Sequence, residues 1–167
     1  MNLQRVNRGD AEERRRLRTF IQTQEHRIPI PDTTRVMEMW KVTGGGGTFN
    51  EVTEEVEQQD LLAGVALWDE GYGNIKATIA VAPEHRGRGV GTRLLRALLL
   101  SDYPIVQFDV DLRNQAGLAF IAKHGEFVTS NGTVASFEVG PRTTRIPHLG
   151  CRCETCREER EMFNMSY

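Results

Sequence analysis

The 167-residue chain has no run approaching the ~20 apolar residues that a membrane-spanning helix needs. Its opening, MNLQRVNRGD, lacks the apolar centre of a secretory signal. A soluble, cytoplasmic protein with no membrane partner is therefore expected. Excess charge is also missing: 21 Lys and Arg stand against 23 Asp and Glu, a formal net charge of -2. That balance gives no global pull toward nucleic acid, which is not expected as a partner. Cysteine is scarce, and Cys151, Cys153 and Cys156 all fall in one short segment. Three thiols cannot pair off completely, and a reducing compartment would favour thiolates or a metal, so we read them as unbridged. The glycine run TGGGG, at Thr43 to Gly47, lacks the Gly-Lys-Ser/Thr ending with which a P-loop reaches phosphate and magnesium. It reads instead as a flexible loop beside a substrate entrance.

With 39% hydrophobic residues the chain can bury one substantial core. We expect one domain over residues 1–140 and a tail over 141–167. A strand is predicted around Leu3 to Val6. Asp10 then caps a helix, with Glu13 reaching back, and Leu17, Phe20 and Ile21 recur at helical spacing. Arg14, Arg15, Arg16 and Arg18 on that helix read as a solvated face. Beyond Pro29 and Pro31, DTTRVMEMW reads as a second short helix. DLLAGVALWDE reads as a buried strand ending at Asp69, followed by the turn GYGN and a second strand, IKATIAVAP, as an antiparallel hairpin. A helix with a Leu94, Leu95, Leu98 and Leu99 stripe follows, then the strand IVQFDVDL. Another helix runs from Asn114 to about Lys123, ended by Gly125, and a closing hairpin turns at Asn131-Gly132.

Between Pro83 and Leu100 lies PEHRGRGVGTRLLRALLL, in which glycines at 87, 89 and 91 sit where a helix should begin. A strand, a glycine turn and a helix without a capping side chain expose several backbone N–H groups in a row. Glycine removes the side chains that would block approach, and the helix N-terminus adds partial positive charge, so the natural occupant is a phosphate or pyrophosphate. Thr92 can add a hydroxyl, and Arg86 or Arg88 a countercharge. The preceding strand is the far arm of a hairpin, which separates the pattern from a dinucleotide fingerprint.

The stretch VAPEHRGRGVGTRLLRALL resembles the acetyl-CoA binding motif of the GNAT superfamily of N-acetyltransferases. FDVDLRNQAGLAFIAKHGEF is similar to the strand and helix that follow it in that family, with Asn114 opening the helix and Gly125 closing it. The resemblance covers about residues 75–127. It implies an α/β (α+β) fold: a mixed central sheet, flanked by helices and splayed open between the strands at Ile75 to Val81 and Val106 to Asp111, with the Cys-rich tail outside it. It further implies acetyl-CoA as cosubstrate. The pyrophosphate would lie on the amides of Gly87, Arg88, Gly89, Val90, Gly91 and Thr92, beside Arg86 and Asn114, and the pantetheine arm along Ile79, Ala80 and Val81. A backbone N–H near Val81 would receive the acetyl carbonyl.

Acetyl transfer needs a neutral amine, hence a base for the ammonium proton. Some family members use a carboxylate five residues before the helix-opening Asn, which is Asp109 here; alternation also allows an ordinary solvated Asp109, and Asp69, Glu70 and His85 are the other candidates. Where many members carry an acidic tyrosine this chain has Ile121, so water, His124, Tyr103 or no acid at all would serve. Glu126 is an extra residue between a glycine and a phenylalanine that usually adjoin, and it is expected to disturb the sheet edge.

In the tail, His148, Cys151, Cys153 and Cys156 supply the four soft ligands of a tetrahedral zinc site, although a Cys-x-Cys pair must bend sharply to hold one ion. The charged REEREMF segment could dock a partner or a second copy of the chain, giving a homodimer. The resemblance implies an amine acceptor, on a small molecule, peptide or modified nucleoside, without naming it. The acidic residues from Glu51 to Asp60 read either as an attractor for a cationic amine or as a solvated face. The competing reading is a noncatalytic GNAT-fold module that binds or regulates through its tail. A nucleic-acid-associated factor drawing on Arg14 to Arg18 is a third.

Overall fold

Strand Asp60–Asp69 carries buried residues on both faces from Ala63 to Trp68, so it must sit inside a sheet with helices on either side. In the computed structural model, which describes residues 2–25, 28–44, 49–50, 55–56, 60–71, 73–100, 105–140, 153–155 and 157–158, it does. The order is β1 (Asn2–Arg5), α1 (Ala11–Gln24), β2 (Val36–Gly44), β3 (Phe49–Asn50), β4 (Glu55–Val56), β5 (Asp60–Asp69) and β6 (Ile75–Val81), then a 3₁₀ turn (Pro83–His85), α2 (Val90–Leu100), β7 (Val106–Asp111), α3 (Gln115–His124), β8 (Gly125–Ser130) and β9 (Val134–Val139). Seven strands form one mixed sheet in the order β1-β2-β5-β6-β7-β9-β8, and β3 pairs with β4 separately. Only β6 and β7 run parallel, joined by the crossover through α2. The expected mixed, splayed sheet flanked by helices is the fold observed.

Each face of the sheet has its own apolar layer. Leu94, Leu95 and Leu98 of α2 pack with Trp40, Val42, Val65 and Leu67 on one side. Leu17 and Ile21 of α1 pack with Met39, Ala66, Trp68 and Ala80 on the other. Gly64 lets α1 lie directly on β5, since a Cβ there would stand 2.5 Å from Leu17 Cδ1.

Three expectations are corrected. Asp32 to Trp40 is not a helix. The Asp32 carboxylate accepts from Thr34 N–H at 3.0 Å and its carbonyl from Arg35 N–H at 2.8 Å, which makes a turn that launches β2. Val36, Met39 and Trp40 imitate helical spacing because β2 is buried on both faces and its register with β5 shifts between Val36 and Glu38. Only half of the anticipated cap forms: Asp10 accepts from Glu13 N–H at 3.0 Å, but the Glu13 carboxylate takes Lys41 Nζ at 2.6 Å and ties α1 to β2. The arginines are not one solvated face either. Arg14 is 8% exposed and donates to the Val36 carbonyl, while Arg18 donates to the carbonyls of Pro31 and Ile30 at 2.9 and 2.8 Å. These two guanidiniums pin the segment entering β2, which removes them from any nucleic-acid surface.

At the far edge, β8 pairs Phe127 with Phe137 and then Thr129 with Ser136, so Val128 is the extra residue of a bulge. That irregularity falls two residues beyond Glu126, where a disturbance was expected. Gly125 has extended φ, and its value is steric: a Cβ would meet Val139 Cγ2 at 2.7 Å and the Glu138 carbonyl oxygen at 2.9 Å.

Candidate active site

β6 stays in register with β5 out to the Ala63–Val81 pair, and β7 stays with β9 from Val106 to Asp111. Between β6 and β7 only Lys76–Gln107 and Ala77–Phe108 pair. Each strand thus follows its antiparallel partner, and beyond Ala77 and Phe108 the sheet divides into two half-sheets. A cavity of about 330 Å³ opens in the division, lined by Thr78, Ile79 and Val81 on one side and Phe108, Asp109 and Val110 on the other.

The cavity runs to the glycine turn. Gly87 and Gly89 adopt φ of 75° and 78°, a left-handed conformation that L side chains resist, and a Cβ on either would meet nothing within 4 Å. Their conformation requires glycine while the space before them is open. Among the described residues the N–H groups from Gly87 to Thr92 find no hydrogen-bond acceptor; the next amide, that of Arg93, closes the first helical bond to Gly89 O at 3.0 Å. Donors and helix N-terminus together form an anion cradle. Gly91 serves differently, since a Cβ would touch Phe120 Cζ at 3.4 Å, where α2 begins against α3. Arg86 curls back, its Nε donating to Val81 O at 3.0 Å.

On the α1 face, just past the Lys76–Gln107 pair, Thr78 and Asp109 line opposite sides of the division. Asp109 is well occupied: Ser136 Oγ donates at 2.6 Å, Lys76 Nζ at 2.9 Å and Gln107 Nε2 at 3.3 Å. Burial pushes its carboxyl up, but Ser136, Lys76 and Gln107 outweigh that and hold it below the ordinary aspartate value. Thr78, 3% exposed, has no hydrogen-bond partner for its hydroxyl among the described residues. The sequence offered no sign of Glu25, the residue that ends α1. It lines the same cavity, and its Oε1 accepts from Asn114 Nδ2 at 2.8 Å across 89 positions of chain. Burial raises its carboxyl and Asp111 adds to the rise, against the opposing Arg86 and the Asn114 hydrogen bond. Asn114 also caps α3, its Oδ1 accepting from Gly117 N–H at 2.9 Å. Gly117 is required there, because a Cβ would lie 2.4 Å from Asn114 Nδ2.

Of the residues singled out from sequence, Ile79, Val81, Arg86, Gly87, Gly89, Val90, Gly91, Thr92, Asp109 and Asn114 meet at this one cavity. Ala80 turns into the α1 core and Arg88 into solvent. Ile121, 4% exposed, closes the wall with an apolar side chain. His124 is buried with its ring edge-on to Phe120, 5.1 Å between centroids, and does not line the cavity, whereas His85 does. Asp69 and Glu70 belong to the β5–β6 turn, bonded to Gly71 N–H and Trp68 Nε1. Tyr103, His148, Cys151 and Cys156 lie outside the described residues, as do residues 45–47 of the glycine run and most of the acidic run before Asp60. Cys153 is exposed, and no group of three or more His, Cys, Asp or Glu suited to a metal occurs among the described residues. No described helix is long and apolar enough to cross a membrane.

The profile of the acetyltransferase (GNAT) domain family matches residues 52–125, spanning β6, the glycine turn, α2, β7 and α3. No curated protein sequence matches the chain. Among solved structures, a GNAT-family acetyltransferase from Staphylococcus aureus Mu50 shares the fold at a TM-score of 0.56 and 14% identity, over 83% of this chain and 98% of that one. A cAMP-binding acyltransferase from Mycobacterium smegmatis does so at 0.57 and 20%, over 96% of this chain and 49% of that longer one. A spermidine N-acetyltransferase mutant from Vibrio cholerae gives 0.50 and 18%, over 84% and 95%. The divided sheet, crossover and glycine turn belong to a fold that this chain shares with GNAT-family structures. Over residues 52–125 the chain is similar to the GNAT domain family, and it shares the fold of GNAT-family acetyltransferases.

Proposed function

We propose that the protein is an acetyl-CoA-dependent N-acetyltransferase that transfers directly to an amine within a ternary complex. One observation carries this reading: the half-sheets separate into a cavity that ends on the glycine turn, whose six backbone N–H groups from Gly87 to Thr92 find no acceptor among the described residues. The residues suit the cosubstrate. Open space before Gly87 and Gly89 admits a diphosphate to the amides from Gly87 to Thr92. The β6 backbone from Ile79 to Val81, unpaired toward β7, offers main-chain groups to an extended amide-bearing arm. Acetyl-CoA supplies an activated acetyl thioester. The chain supplies a dry slot, walled by Phe108, Val110, Phe120 and Ile121, that keeps water from competing with the amine. Asp109, neutralised by Lys76, acts as a fixed polar wall on the acceptor side rather than as a free base. Ile121 donates nothing, and a thiolate is a good enough leaving group to depart without an acid from α3. A similar fold that carries a spermidine N-acetyltransferase makes amines the first acceptors to test.

Calorimetry with acetyl-CoA, followed by thiol release across a panel of alkylamines, peptides and modified nucleosides, tests the proposal. Saturable binding with transfer to one amine is expected. Tight binding with no transfer to any amine would favour a noncatalytic binding module, and no binding would remove the function altogether.

A further inference from the structure

Two carboxylates line the cavity, and their surroundings set them apart. Asp109 is held by a cation, a hydroxyl and an amide. Glu25 receives one neutral donor, the Asn114 side chain, and among the described residues no cation lies within ion-pair distance of it. Its placement suits an incoming substrate. α1, which it ends, covers one face of the sheet, while α3, which Asn114 opens, packs with α2 against the other. The Glu25–Asn114 bond therefore bridges the cavity from one face to the other, and Thr78, whose hydroxyl has no partner among the described residues, lines the same cavity.

We propose that Glu25 is the proton acceptor of the transfer and that the acceptor is a primary alkylamine arriving as its ammonium ion. The assignment rests on the transferase reading above. The ammonium pairs with the Glu25 carboxylate and gives one proton to Oε, which passes it to solvent. The freed nitrogen lone pair bonds to the acetyl carbon, the carbon–sulfur bond breaks, and its electron pair leaves on sulfur. The second nitrogen proton, released as the amide forms, neutralises that thiolate, so one proton is released per turnover. The groups facing Glu25 tune it. Arg86, after β6, stabilises its charge, Asp111 at the end of β7 opposes it, and Asn114 donates to it. The Asp109–Lys76 pair lies nearer the apex of the division, and His85 lines the same cavity. Burial leaves Glu25 the more basic of the two carboxylates, and a base gains effect as its pKa nears the working pH.

Glu25→Gln keeps an oxygen for Asn114 and so preserves the cap. The experiment has three readings on the full chain. Carbon-13 NMR of the free protein should show the Glu25 carboxyl titrating above the ordinary glutamate value. Acetyl-CoA affinity of Glu25→Gln should stay within about twofold of wild type, while kcat with methylamine, small enough to enter any acceptor site, should fall about 100-fold, in line with loss of a general base. The acidic limb of the wild-type rate profile should track the Glu25 titration and be absent from the variant. An ordinary Glu25 titration, or an acidic limb unchanged in Glu25→Gln, overturns the assignment while leaving the transferase standing. A wild type that fails to bind acetyl-CoA, or binds it and transfers to no amine, overturns both.

Discussion

Gly89→Ala tests the anion cradle most directly, because the structure supplies its own control. Gly89 at φ 78° and Gly73 at φ 74° have nearly the same strained backbone, and a Cβ at either would meet nothing within 4 Å. Adding a methyl to each should therefore cost the folded protein the same amount, about 1–2 kcal/mol for a left-handed alanine. In a chain of this length that lowers the melting temperature by about 2–4 °C per kcal/mol. The two sites differ only in what they face: Gly73 belongs to the β5–β6 turn, Gly89 to the cavity and its open amides. A methyl at 89 holds a diphosphate off at least one N–H, and a hydrogen bond to a charged group is worth about 1.5–3 kcal/mol. At 1.4 kcal/mol per factor of ten, Gly89→Ala should weaken acetyl-CoA by about 10- to 100-fold and Gly73→Ala not at all. Differential scanning calorimetry and titration calorimetry on both variants give the two readings. Equal melting shifts with unequal affinities are expected; undiminished affinity in Gly89→Ala, or the same loss in Gly73→Ala, would refute the reasoning.

Asp109→Asn should cost about 1–3 kcal/mol at neutral pH, because Asn keeps an oxygen for Ser136 but sets an amide N–H against Lys76 and removes its counter-charge. The native Asp109 carboxyl is held below its ordinary value, so its contribution is present above that value and lost as pH falls through the lowered one. Denaturant titrations should show the gap between wild type and variant holding down to the ordinary aspartate range; a gap already closed at about pH 6 would contradict the geometry. Gly64→Ala, whose Cβ would overlap Leu17 Cδ1, should destabilise by about 1–3 kcal/mol and leave acetyl-CoA affinity alone, as melting and binding measured together would show.

Elements with one buried stripe and a clear punctuation mark were legible in the chain: the Leu94 to Leu99 helix, the Gly71 and Gly73 turn, the Asn114 cap. β2 was not, because burial on both faces and a bulge gave Val36, Met39 and Trp40 a helical rhythm. The arginines of α1 misled for a related reason. Their stems run along the helix while Arg14 and Arg18 end on backbone carbonyls of the next segment, partners that composition does not reveal. The cradle could be read because its requirement is local: a backbone that only glycine adopts easily, next to a helix start. Glu25 could not, since its meaning comes from Asn114, 89 positions away, and from a cavity that exists only once two half-sheets part. Asp109 was found by its spacing from Asn114, yet spacing says nothing of Ser136, which reaches it from β9.

The division of the sheet also bears on how the protein avoids sticking to its neighbours. An unpaired strand margin ordinarily recruits other chains, and globular proteins blunt such margins or hide them. Here the margins of β6 and β7 look inward at each other, while β8, one of the two outermost strands, is kinked by an extra residue at Val128. The molecule thus keeps main-chain hydrogen-bonding capacity in reserve for a slender guest, at a spot no foreign strand can reach from outside.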